Sequence, residues 1–198
     1  MSKKLIPNKF FKENPLEDIS SARATLFMMT DELNEIINKM ICEDTEDELI
    51  KQDLEKLEEE KVKISNLKNG EEVFNFIRKG FSNFNMSILR EKVLSIQEET
   101  IPYLLRRYRT SQLDKFIEAV VEIISFADMK YTDELYNIYK NIANPYAQSM
   151  ACLVFAVQKR IDMLPFLMSE YYRFLELYPD DEFCEGPLVA IYHLCGKE

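Results

Sequence analysis

Between Asn85 and Leu177 apolar residues recur at i, i+3, i+4 and i+7, the spacing that lines one face of a helix. Leu113, Phe116, Ile117, Val120, Val121, Ile124 and their neighbours make the widest stripe, which predicts a helix with Ser111 as its cap and Asp114 three residues on. Thr132 is in place to cap a second helix through Leu135, Ile138, Tyr139 and Ile142. Asn144-Pro145 pairs a capping side chain with a proline suited to the first helical position. The helix it opens runs through 150–157, Met-Ala-Cys-Leu-Val-Phe-Ala-Val, which is apolar on every side and so predicts burial all round. Asp162 is expected to open the last long helix, through Leu177, and Gly186-Pro187 a short terminal one ending at Gly196.

The first 70 residues are patterned differently. Residues 1–13 read as a basic lead-in, and Asn14-Pro15-Leu16-Glu17 as a helix start, with Glu able to return a hydrogen bond to the cap. That helix, either continuous or broken near Thr30-Asp31, runs to about Met40 with Leu26, Leu33, Ile36, Ile37 and Met40 on its apolar face. Thr45 and Glu48 spell a capping box for a second helix, in which Ile50, Leu54, Leu57, Lys61 and Ile64 follow at 4-3-4-3 spacing. A seam this short favours packing on its predecessor as a helical hairpin over an intermolecular zipper. Asn69-Gly70 is expected to end the second helix. Val73 to Phe81 makes a short apolar helix, and Met86 to Ile96 and Thr100 to Tyr108 the next two, with Pro102 in the first turn of the latter.

Three pieces of the second half align: Ile-Pro-Tyr-Leu-Leu at 101–105, Glu-Leu-Tyr-Asn-Ile at 134–138 and Leu-Pro-Phe-Leu-Met at 164–168. Pro102 and Pro165 lie 63 residues apart with the middle piece halfway, a period of roughly 31–32 residues, near the unit length of stacked helix pairs. In its paired amphipathic helices, its period and its Pro near the second-helix start, 85–195 resembles the HEAT-like helical repeats. The inter-helix Asp and Arg pattern of that family is not clear here, and the last unit is truncated. The resemblance implies a curved stack that holds a partner on its concave face; a minority of that family are DNA-base repair enzymes.

Composition supports the helical reading. Four Gly and seven Pro in 198 residues leave little turn chemistry for a many-stranded sheet. The net charge of −10 is uneven: 43–63 holds ten acids against four bases, and 176–185 five acids and no base, so the rest of the chain is near neutral. The first residues are too polar for a signal peptide, and no apolar run reaches spanning length. Cys42, Cys152, Cys184 and Cys195 form no CxxC pair, as expected of reduced thiols in a cytoplasm.

Candidate chemistry is sparse. His193 is the only histidine, which excludes any site needing two imidazoles. Cys184, His193 and Cys195 converge poorly, because helical neighbours two apart point roughly 200° from one another. No metal and no cofactor is therefore expected. Cys152 lies in the most apolar helix, where burial suppresses thiol reactivity. No phosphate loop, nucleophile elbow or calcium loop occurs, and no pair among 35 acids stands out, so no catalytic residue is assigned. The densest positive feature is Arg106, Arg107 and Arg109, with Arg90 and Lys92 earlier. If the two helices carrying them run antiparallel, all five share one edge and form an anion- or partner-binding site. Arginine near a helix C-terminus also answers the helix dipole, and that plainer role competes with binding.

The sequence thus predicts an all-α fold: an N-terminal charged helical hairpin over 1–70 leading into a short HEAT-like stack of antiparallel helix pairs over 71–198, or one continuous domain. The expected function is a non-catalytic protein-interaction module in the cytoplasm, such as a scaffold, adaptor or immunity-type binder. Its partner would be an unidentified protein and not a membrane. The alternative is a nucleic-acid-binding or nucleic-acid-processing helical-repeat protein that uses the basic edge.

Overall fold

The computed structural model describes Ile6, residues 8–16 and residues 48–196, the last with side chains from residue 55 on. Among the described residues the regular structure is all helical, as the apolar spacing predicts. The helices are α1 (Asn8–Glu13), α2 (Glu48–Ser65), α3 (Gly70–Lys79), α4 (Met86–Ser95), α5 (Gln97–Tyr108), α6 (Asp114–Ser125), α7 (Met129–Ile138), α8 (Pro145–Val157), α9 (Leu164–Leu177) and α10 (Glu185–Leu194). The expected helix from Asn14 to Met40, the Thr45 cap, and Ile50 and Leu54 of the seam lie outside the described residues or side chains. Of the rest of that seam, Ile64 is fully buried and Leu57 half-buried, while Lys61 reaches Glu58.

Packing links next-but-one helices. In one series α2 meets α4, α4 meets α6, α6 meets α8 and α8 meets α10. In the other α3 meets α5 and α5 meets α7, and α7 reaches α9 through the Tyr136 and Phe166 rings, 5.1 Å apart. Polar contacts keep the same step. Gln97 to Asp128, Glu98 to Lys130, Arg90 to Glu122 and Tyr139 to Glu170 each join residues 31 or 32 apart. The buried apolar residues other than Phe174 form one cluster from Ile64 to Tyr192, joined by Ile6 and Phe10. At its centre α8 runs with Ala151 through Ala156 all buried, and Asn144 Oδ1 caps it by accepting from Tyr146 N at 3.0 Å. The small Ala147 lets α5 come close enough for the buried Tyr108 hydroxyl to donate to its carbonyl, at 2.6 Å. Among the described residues no helix is long and apolar enough to cross a membrane.

Several boundaries differ from the local reading. α5 begins at Gln97 rather than Thr100, because Ile96 alone (φ −129°, ψ 30°) breaks the chain between α4 and α5. Pro102 therefore sits inside α5, where its missing N–H leaves the Glu98 carbonyl without the usual i+4 donor. Ser111 Oγ accepts from Leu113 N in the preceding turn, and the Leu113 carbonyl instead serves the Phe116 and Ile117 amides that start α6. Thr132 caps nothing: α7 begins at Met129, and Thr132 is fully buried within it. What orders that start is a two-way exchange with α5, in which Gln97 Nε2 donates to Asp128 Oδ2 (3.0 Å) and Asp128 N to Gln97 Oε1 (3.3 Å). Asp162 pairs with Arg160 in a 3-10 turn (Ile161–Met163) before α9.

Asn69-Gly70 does not close α2, which ends at Ser65. It opens α3: Asn69 Oδ1 accepts from the Glu71 and Glu72 amides (3.1 and 3.0 Å), and Glu72 returns a bond to Lys68 N. Gly70 is needed for space, since a Cβ there would lie 2.5 Å from Tyr103 Cβ and 2.9 Å from the Thr100 carbonyl oxygen. Within the lead-in, residues 8–13 form α1, and Asn14 closes it, its amide and its Nδ2 both donating to the Phe10 carbonyl (2.9 and 2.8 Å).

Candidate anion-binding face

Helix α5 ends in Arg106 and Arg107, both exposed, one turn beyond Tyr103. Spacings of i, i+3 and i+4 put the three side chains on one face. Arg107 donates to the Tyr103 hydroxyl from Nε (3.2 Å) and Nη2 (2.9 Å). Its guanidinium lies 5.0 Å from the centre of the Phe74 ring and 5.2 Å from that of Tyr103. Arg106 lies 5.5 Å from the Tyr103 ring. Phe74 comes from α3, held there by the close approach at Gly70 and by an edge contact with Phe116 at 5.1 Å. Two cations are thus steadied by aromatic faces. Among the described residues neither joins a salt bridge, whereas Arg160 and Arg173 do. The Tyr103 hydroxyl takes the Nε–Nη2 edge of Arg107, so the donors left for carboxylate or phosphate are the remaining N–H groups of Arg107 and those of Arg106.

Of the five predicted cations, one is turned away from solvent. Arg90 is the correction: only 6% exposed, its Nη1 lies 3.1 Å from Glu122 Oε1 and its guanidinium 4.2 Å from the centre of the Phe126 ring. It belongs to the α4–α6 interface, because α4 packs on α6 and turns Arg90 inward. Lys92, in the last turn of α4, is half-buried. Arg109 is exposed past the end of α5, and its carbonyl accepts from Ala143 N at 2.9 Å. The face is therefore Arg106 and Arg107 on an aromatic base of Tyr103 and Phe74. The sequence contained part of that signal, since Tyr103 precedes the arginines at helical spacing. Phe74 carried none, because a glycine-permitted helix contact brings it there.

A second polar cluster was not anticipated. The Tyr139 hydroxyl donates to Glu170 Oε2 (2.9 Å) and lies 3.6 Å from Cys152 Sγ. Arg173 donates to Glu170 Oε2 from Nε (2.8 Å) and to Gln148 Oε1 from Nη2 (2.7 Å), and Gln148 Nε2 reaches the Ile142 carbonyl. Glu170 and Arg173, three residues apart, were the only part a local pattern offered. Burial pushes the Tyr139 hydroxyl far above the usual phenol range. Burial likewise pushes the Cys152 thiol up to about 12. Burial thus disfavours the charged form of both groups, and the cluster joins α8 and α9. In the native protein Cys152 is expected to react with a maleimide more slowly than the half-buried Cys184 and Cys195. Peptide mapping that finds all three labelled at one rate, before unfolding, would contradict its burial.

Among the described residues no three His, Cys, Asp or Glu side chains are placed to hold a metal ion. Compared with known proteins, the chain matches no family model, no curated protein and no solved structure.

Proposed function

We propose that this chain is a non-catalytic interaction module, built as a short HEAT-like stack, whose Arg106–Arg107 face docks an acidic surface of a partner protein in the cytoplasm. The observation that carries this is the pair of exposed guanidiniums held on Tyr103 and Phe74 with no salt bridge among the described residues. The stacked reading is supported by the packing of next-but-one helices and by side-chain bonds at a 31- to 32-residue step. Such a stack presents extended surfaces while each unit touches only its neighbours. A carboxylate-bearing partner fits forked donors, and opposite charge speeds the encounter.

A second reading draws on the same rings. Phe74 and Tyr103 beside two arginines resemble the pairing of stacking surface and cation that holds single-stranded nucleic acid. The two separate by capture from native lysate on the immobilised chain, run beside generic duplex and single-stranded oligonucleotides at low and raised salt. A retained protein and no oligonucleotide binding is the expected result. Oligonucleotide binding that falls steeply with salt, and similarly for every sequence, would put nucleic acid first.

A further inference from the structure

The segment ahead of the helical body is seated as a ligand is seated. α1 contacts α9 and α10 through one side. Ile6, Phe10 and Asn14 recur every four residues, and Ile6 and Phe10 are buried to 7% and 6% exposure. Lys9, Lys12 and Glu13 stay in solvent. Phe10 meets the Tyr171 ring edge-on at 5.6 Å, and Phe11 meets Tyr192 at 4.9 Å. Two tyrosine hydroxyls read the polar groups. Tyr171 donates to Asn14 Oδ1 at 2.7 Å, and the Tyr192 hydroxyl lies 3.1 Å from the Phe11 carbonyl oxygen and 2.9 Å from that of Asn14. A six-residue helix is not stable alone in water, so its order comes from the groove and from the Asn14 closure.

We propose that the groove between α9 and α10 is a peptide-recognition site. It takes short amphipathic helical segments with two adjacent aromatics and Asn three residues beyond, Phe-Phe-x-x-Asn, and residues 6–16 are its resident, exchangeable occupant. The mode is a helix laid in a groove, with apolar anchors at helical spacing. Its polar specificity resides in the Tyr171 hydroxyl, because a segment lacking the Asn leaves that donor unpaired in a largely buried site, whereas the Tyr192 hydroxyl meets main-chain carbonyls that any segment offers. The partner is a protein segment of that chemistry, and to bind it must displace a covalently tethered competitor. This site is separate from the arginine face and stands whether or not that face binds.

The test uses the full chain carrying Phe10→Ala and Phe11→Ala, which weakens the resident segment, and a fluorescent peptide of residues 6–16. The peptide is expected to bind this variant at least about tenfold more tightly than wild type, in which the tethered copy competes. Asn14→Ala in the peptide is expected to weaken binding about tenfold, the loss of roughly one good hydrogen bond. Circular dichroism establishes that the variant is folded. If it is not, Asn14→Ala in the chain, a smaller change, carries the same comparison. Equal binding to wild type and variant, or none to either folded protein, overturns the proposal. So do wild-type dimers that vanish in the variant, which would make a second copy of the chain the occupant.

Discussion

The Ala151→Asp protein is expected to lose several kcal/mol of stability and to melt far below wild type. Ala151 has no solvent exposure and sits mid-way along α8, between α6 and α10. Both faces of that helix are apolar, and a carboxylate placed there meets Leu, Val and Ile side chains rather than water. Burying an unpaired charge costs more than most folds can spare, since a domain's whole margin is about 5–15 kcal/mol. The side chain evades part of the cost by staying protonated, which raises its folded-state pKa above the unfolded value of about 3.9. The penalty therefore grows as pH rises past that value, and the gap from wild type is expected to narrow toward pH 4 and below. Lys56→Ala, on the exposed side of α2, is the matched control and is expected to change stability by less than about 0.5 kcal/mol. Equal melting shifts for the two variants would mean that α8 does not lie at the centre.

Gly186→Ala is expected to cost about 3 kcal/mol, large for a single methyl, because the methyl has no space. A Cβ at 186 would overlap the Ser149 carbonyl oxygen and hydroxyl and lie 2.7 Å from the Ser149 carbonyl carbon. Those backbone atoms belong to α8, the most buried helix, and cannot give way as a side-chain tip can. α10 would have to lift from α8, loosening contacts among Val189, Ala190, Ile191 and the α8 residues below. Removing the hydroxyl as well, in Gly186→Ala with Ser149→Ala, is expected to restore only part of the loss, because the carbonyl overlap remains. Urea denaturation measures all three proteins. A single mutant as stable as wild type, or complete rescue by Ser149→Ala, would contradict the close backbone contact.

How much of this was legible in the sequence follows from how local each cause is. The 150–157 run, the Asn144 cap and the all-helical class rest on neighbours within a turn or two, and all three appear in the structure. Thr132, Ser111 and Asp162 were read as caps from local chemistry alone. Only at the start of α7 is the competitor distant, where Gln97 takes the place expected of Thr132; Ser111 and Asp162 each pair with a residue two positions away. Gly70 reads locally as a helix stop, yet its reason is Tyr103, in direct contact with it but 33 residues on in the chain. The same holds for the candidate face. Arg106 and Arg107 stand out by density, but nothing local separates them from Arg90, which Glu122 and Phe126 take into an interface. Phe74 entered the face only through packing.

Charge reversal on that face tests the central claim most directly. The chain carrying Arg106→Glu and Arg107→Glu is expected to stay folded, because both side chains are exposed and their ring contacts contribute little to stability. Its capture of the protein partner that wild type retains from native lysate is expected to fall by about tenfold or more, as like charges replace opposite ones at the contact. Binding of every partner and oligonucleotide unchanged from wild type, in a variant with intact circular dichroism, would mean that the two arginines only answer the helix dipole and that the proposed face binds nothing.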